Sequence, residues 1–203
     1  MKELNAIFAR GINGEFSLSD GSLPWKNAKE LSEDSKNDME HFKCTTAGQI
    51  VIMGFNTYRT FKKPLPERIN VVIDRNCNEP SAANKNIAEN KFNFFSSLED
   101  ALDYFSCIKF SETKIFLIGG AKLFNYAFSK NLINGKIFET VFNCNFSEAA
   151  TFIDPVSEKW KILSAKKLGE NSCLFVRKKE GSADSFPTES NTPLKFQDNP
   201  ASL

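Results

Sequence analysis

The sequence predicts an α/β fold: a central mixed, mainly parallel β-sheet with helices on both faces. Three observations predict it. Short apolar, β-branched runs alternate with helix-like stretches; glycine turns follow two of those runs, at Gly54 and Gly119-Gly120; and the stretch Trp160 to Lys179 has the pattern of a closing hairpin.

Taken in order, Leu4 to Ala9 is a buried-strand pattern, and Gly11 to Leu23 is a polar loop rich in Gly, Ser and Asp. A helix is expected from about Asn37 to Cys44. Gln49 to Met53 is a second strand, after which Gly54 turns the chain into a short helix at Thr57 to Phe61. Ile69 to Ile73 is a third strand, β-branched throughout apart from Asn70. A helix over Ser97 to Tyr104 starts with Ser97 as N-cap, ahead of Glu99 and Asp100. Lys114 to Ile118 is a strand, Lys122 to Phe128 a helix, and Ile137 to Phe142 a strand. From Gly181 to Leu203 three prolines and many polar residues replace the apolar periodicity. The expectation is one domain over residues 1–180 and a disordered tail over 181–203, free to hold a protein partner.

Composition narrows the function. The net charge is +1, with 26 basic and 25 acidic residues, so neither nucleic acid nor a membrane surface is expected as partner. No apolar run approaches the ~20 residues that span a bilayer. Five scattered cysteines without a Cys-x-x-Cys pair point to free thiols in a reducing compartment, and hence to a cytoplasmic protein with no metal site. His41 is the only histidine, which disfavours serine or cysteine triads. Catalysis must then rest on carboxylates and a cofactor.

Several constellations carry that chemistry. Asp38 and Phe42 lie four apart and share a helix face, so a carboxylate and an aromatic ring can line one pocket. The same residues admit a plainer reading, in which Ser35-Lys36-Asn37-Asp38 is a capping box at a solvated helix end. Arg68 follows the stiff Pro64-Leu65-Pro66 turn, where its planar fork suits a ligand carboxylate. Gly54 to Thr57 and Gly119-Gly120-Ala121 each lead from a strand into a helix, where backbone N–H groups favour phosphate. Neither is a Gly-x-Gly-x-x-Gly motif, which argues against an ordinary Rossmann domain.

In order along the chain, these pieces are Leu23-Pro24-Trp25, Asp38 with Phe42, Met53-Gly54, Pro64-Leu65-Pro66-Glu67-Arg68 and Ile118-Gly119-Gly120. Over residues 4 to 179 the chain resembles the dihydrofolate reductase family, with the long-tailed viral (bacteriophage) members most similar. The resemblance implies NADPH-dependent reduction of 7,8-dihydrofolate to tetrahydrofolate, which serves one-carbon and thymidylate metabolism. It implies a cytoplasmic enzyme, in the host cytoplasm if viral. Asp38, Trp25 and Thr140 become the catalytic set. Ile7, Asp38, Met39, Phe42 and Arg68 meet the substrate: Asp38 the pterin, Phe42 the aminobenzoyl ring and Arg68 the glutamate carboxylate. The cofactor set is Ile7, Gly14, Gly54, Phe55, Asn56, Thr57, Ile73, Asp74, Arg75 and Ile118 through Gly119, Gly120, Ala121 and Lys122 to Leu123. The loop Gly11 to Leu23 is expected to close over the nicotinamide.

Two departures from the family pattern bear on these roles. The interval from Trp25 to Asp38 is about eight residues longer than usual, so Glu30, Glu33 and Asp34 compete for the catalytic place, although none has a Phe four residues on. Asp74 stands where a small hydroxyl residue is usual beside the cofactor's 2′-phosphate, and Phe55-Asn56 replace a basic contact, leaving Arg75 and Lys122 as the cations. The alternatives are a pyrimidine reductase of riboflavin synthesis, which should lack the joint motifs, and a binding or structural protein on a lapsed reductase scaffold.

Overall fold

The apolar runs become the strands of one eight-stranded sheet in the order β5-β4-β3-β6-β1-β7-β10-β9. The computed structural model describes residues 2–77, 87–107, 110–154 and 156–180. The expected tail from Gly181 lies outside the described residues. In chain order the elements are β1 (Leu4–Gly11), β2 (Glu15–Ser17), α1 (Ser32–Thr46), β3 (Ile50–Gly54), α2 (Phe55–Tyr58), β4 (Ile69–Ile73) and β5 (Phe92–Phe95). They continue with α3 (Leu98–Phe105), β6 (Ile115–Gly119), α4 (Ala121–Ser129), β7 (Lys136–Phe142), β8 (Thr151–Phe152), β9 (Trp160–Lys167) and β10 (Ser172–Lys179).

The six strands from β5 to β7 pair in parallel, and β10 closes the sheet antiparallel to both β7 and β9. The chain steps outward from β3 to β4 and β5, then returns to lay β6 between β3 and β1. Such a reversal opens a crevice at the carboxyl ends of the strands, where α/β proteins bind ligands.

One sheet face carries the larger core. Leu4, Ala6, Phe8, Ile52, Val71 and Leu117 pack there against Leu98, Ala101 and Phe105 of α3 and Phe124 and Ala127 of α4. At about 25 cal/mol per Å² of apolar surface buried, this layer supplies most of the driving force for folding. Ser97 caps α3 as expected, its side chain accepting from the Asp100 N–H at 3.0 Å. Helix α1 covers the other face, where the His41 ring lies 6.1 Å from Phe138. Among the described residues no helix is long and apolar enough to cross a membrane.

The structure departs from expectation in four places, the first being α2, which spans Phe55–Tyr58 because the helix begins directly after Gly54 and not at Thr57. The polar segment 11–23 contains β2, which pairs antiparallel with the two-residue β8. Strand β5 was not expected, because Phe92-Asn93-Phe94-Phe95 is short and follows a polar stretch; Asn93 is buried and donates to the Asn70 and Ala88 carbonyls. Helix α1 starts at Ser32, five residues before the expected Asn37. Its first turn is held from outside: the buried Asp34 accepts from the Asn171 N–H in the β9–β10 turn and from the Ser172 hydroxyl at the start of β10.

Candidate active site

The expected cofactor and substrate residues gather at the crevice. Gly54, Ile73 and Gly119 end β3, β4 and β6, which are neighbouring parallel strands. The Gly54 and Ile73 positions are paired directly. Ile7, buried in the middle of β1, lines up with Phe138 on the face that α1 covers.

Asp38 lies in the second turn of α1, inside the helix. The start at Ser32 removes the capping-box reading, which needed a helix beginning beside Ser35. The extra length after Trp25 is taken up by two short 3-10 turns, Pro24–Asn27 and Lys29–Leu31, and by the early start of α1. Among the competing acids, Glu30 and Glu33 are exposed, and Asp34 is engaged by Asn171 and Ser172. Asp38 faces Thr140 of β7, which is 1% exposed. Burial pushes the Asp38 carboxyl up to about 6, and a hydrogen bond with the Thr140 side chain pulls the other way. An acid with that affinity holds its proton part of the time near neutrality, as proton-transfer chemistry requires.

Next to Asp38 along α1 opens a cavity of about 420 Å³ lined by Met39, Phe42, Leu65, Pro66 and Arg68 among others. Arg68 is buried and held from three sides. Its Nε donates to Thr46 Oγ1 at 2.9 Å, Nη1 to the Pro66 carbonyl at 2.5 Å and Nη2 to the Lys43 carbonyl at 2.7 Å. A guanidinium has five N–H groups, so these three contacts leave one on each terminal nitrogen. The turn before it is shaped by Asn70. That side chain accepts from the Leu65 N–H at 2.9 Å and donates to the carbonyls of Leu65 (2.8 Å) and Arg68 (3.0 Å). The sequence marked Asn70 only as the odd residue of a β-branched run; a strand asparagine shortly after a proline turn is the signal that was there.

The two glycine turns close on each other. A Cβ on Gly120 would stand 2.9 Å from Thr57 Oγ1, and one on Gly54 would meet the Gly120 nitrogen and Leu123 at 3.8 Å. Gly119 has φ +154, beside Thr57. Gly120 is the N-cap of α4 and Gly54 of α2, and neither end receives a side-chain cap. The first N–H groups of α4 are therefore left to an anion. Phe55 and Asn56 are exposed beside this cradle, as is Lys122, while Ala121 and Ile118 pack beneath. At the end of β4, Asp74 folds onto its own turn, accepting the Asn76 N–H at 3.0 Å, and Arg75 is exposed. No ion pair joins Asp74 to Arg75 among the described residues.

Two expected residues sit at the margins. Trp25 is buried, stacked on Phe142 (4.6 Å, 19°) and tilted against Phe146 (5.7 Å), with Ala9 and Leu31 completing that small core. Gly14 has φ +93, and a Cβ there would lie 2.7 Å from the Ile153 carbonyl, so only glycine suits it. Its own carbonyl accepts the Ile153 N–H at 2.9 Å. Glu15, which follows, belongs to no motif in the sequence. Burial opposes its charge, but the Asn13 N–H and side chain and the Phe146 N–H together hold it below the usual carboxylate range.

A profile of the family described as "Dihydrofolate reductase" matches residues 5–176. The dihydrofolate reductase of Bacillus subtilis is 27% identical over 164 residues, 81% of this chain and 83% of that protein. Dihydrofolate reductase type 8 of Escherichia coli is 32% identical over 125 residues, 61% of this chain and 66% of that one. The bifunctional dihydrofolate reductase-thymidylate synthase of Paramecium tetraurelia is 35% identical over 124 residues, 61% of this chain but only 22% of that longer protein.

Proposed function

Because the chain belongs to the dihydrofolate reductase family, we propose that it reduces 7,8-dihydrofolate to 5,6,7,8-tetrahydrofolate with NADPH. The observation that carries the reading is Asp38: a desolvated carboxyl, up to about 6, on the same helix as Met39 and Phe42, which with Arg68 line the adjoining cavity.

Dihydrofolate has a flat polar head, an aromatic middle and an anionic end. Asp38 accepts hydrogen bonds from the head and supports the positive charge that arises as a ring nitrogen takes up a proton. Phe42 and Met39 pack against the middle, and Arg68 grips the terminal carboxylate. Thr140 orients Asp38, while Trp25 and Ile7 shape the wall behind it. Because the substrate spans from Asp38 to Arg68, its reducible carbon is fixed by binding at both ends.

The cradle of Gly54, Thr57, Gly119 and Gly120 fits a pyrophosphate, since side chains at those glycines would fill it. NADPH bound there supplies the hydride. Phe55, Asn56, Ala121, Lys122 and Leu123 border the pyrophosphate, with Ile73, Asp74 and Arg75 toward the 2′-phosphate and Gly14 in the segment above the nicotinamide. Arg75 and Lys122 favour the phosphorylated cofactor, while Asp74, occupied by its own turn, opposes it only weakly. The test is direct: purified protein should consume NADPH absorbance only when dihydrofolate is added. No consumption under those conditions would refute the proposal.

A further inference from the structure

Two of the chain's five arginines converge on one carboxylate that the substrate and cofactor readings leave unused. Glu139, in the middle of β7, is 0% exposed. Its Oε1 accepts Arg10 Nε at 2.7 Å and its Oε2 accepts Arg177 Nε at 2.7 Å, so β1, β7 and β10 are tied at one point. A carboxylate this far from water is tolerated only with both oxygens satisfied.

The two arms then differ. Arg177 lies over the Phe175 ring, 5.4 Å from its centroid. Arg10 reaches forward along the chain: its Nη1 donates to the carbonyls of Gly11 at 2.9 Å and Ile12 at 3.0 Å. Those carbonyls open the 11–23 segment, whose far side is fastened to Phe146 by Glu15 and to Ile153 by Gly14. One planar guanidinium therefore bridges the fixed sheet and the first two peptide groups of that segment. Lysine carries its three N–H donors on one nitrogen and cannot reproduce contacts made from two separate nitrogens of the fork.

We propose that Arg10, aimed by Glu139, is a positioning residue that sets the hinge of the 11–23 segment above the cofactor. The proposal rests on the reductase reading for its catalytic consequence, but the hinge itself can be tested without it. Arg10→Lys and Arg177→Lys each keep a cation beside Glu139 and lose one fork, and only the first touches the hinge. Both should lower Tm by similar amounts. Arg10→Lys alone should speed chymotrypsin cleavage after Phe16 or Leu18 severalfold in the free protein. It should also slow single-turnover hydride transfer roughly ten- to hundredfold, the scale of a small misplacement, with the KM for dihydrofolate unchanged. If Arg10→Lys does not fold, Glu139→Gln, which keeps both arginines, replaces it and should show the same excess cleavage over Arg177→Lys. Equal cleavage in the Arg10 and Arg177 variants, or wild-type cleavage in Arg10→Lys, overturns the proposal. A wild-type protein inactive with dihydrofolate would instead refute the reductase reading, while the cleavage comparison still decides the hinge.

Discussion

The side chain of Thr140, on β7, hydrogen-bonds the Asp38 carboxyl on α1, and it is the one cause acting against the burial that pushes this acid up to about 6. Two groups 102 positions apart in sequence are thereby set against each other in one titration. Replacing Thr140 with Val removes the opposing hydrogen bond and leaves desolvation alone, so the Asp38 pKa should climb further. A hydride-transfer rate that depends on a proton held at this site falls as pH rises through that pKa. The midpoint of the fall should therefore move to higher pH in Thr140→Val, and an unmoved or acid-shifted midpoint would count against the pairing.

Asp38→Asn should lower turnover by orders of magnitude while leaving the fold intact, because the amide can neither hold the proton nor support positive charge on the pterin. It should also change stability with a defined sign. The folded-state pKa is raised, so the native protein binds more protons than the unfolded chain between about pH 4 and 6. Stability from this group is fully present below about pH 4 and is lost as pH rises through 6. At pH 7.5 the unliganded Asn variant should be more stable than wild type, by about 1–3 kcal/mol as an upper range for a partly exposed group, and that gain should vanish at pH 4. Urea unfolding at the two pH values measures the difference.

Arg68→Ala should raise the KM for dihydrofolate and spare that for NADPH. A charged hydrogen-bond pair is worth roughly 1.5–3 kcal/mol, so the rise should be about ten- to a hundredfold. Asn70→Ala should raise the same constant less. It should also cost about 1–3 kcal/mol of stability, since the Leu65 N–H loses its partner. Steady-state kinetics with each substrate varied separates these outcomes from a general loss of folding.

Gly120→Ala should weaken the cofactor specifically, because the new methyl would press on Thr57 Oγ1 at 2.9 Å and narrow the cradle. The enzyme should prefer NADPH to NADH, and Arg75→Ala should erode that preference. Comparing kcat/KM for the two cofactors at one ionic strength decides the matter; a native preference for NADH would point to Asp74.

A chain ending at Glu180 should fold and reduce dihydrofolate at the full-length rate, because residues 181–203 carry no core-forming pattern. Inactive or insoluble protein would make the tail part of the domain.

Much of this arrangement was legible in the sequence because it is written locally. The central strands are continuous apolar runs. Asp38 and Phe42 are related by helical spacing, and the glycine turns lie where strands must give way to helices. What the sequence does not display is held by partners distant in the chain. The α1 start depends on Asp34 meeting Asn171 and Ser172, so no local cap marks it. Glu139 looks like an outward-facing strand residue until its arginines, 129 and 38 positions away, fold onto it. Nothing local to His41 tells that its ring rests near Phe138 of β7 and that its Nε2 is shut away from solvent.

Strand β9 lies at the edge of the sheet, with only Trp160 buried along its length and Ile162 and Leu163 each about half exposed. An open edge with apolar side chains is a template for pairing with another molecule. Here Lys161, which pairs with Glu180, and Lys166 and Lys167 bracket the apolar stretch, and charge at such positions keeps strands of separate molecules apart. The chain's net charge of +1 gives little general repulsion to help them. Colloidal behaviour is thus concentrated in three side chains that take no part in the site. Neutralising them with glutamine should leave turnover at the wild-type value and raise the scattering of a concentrated solution with time.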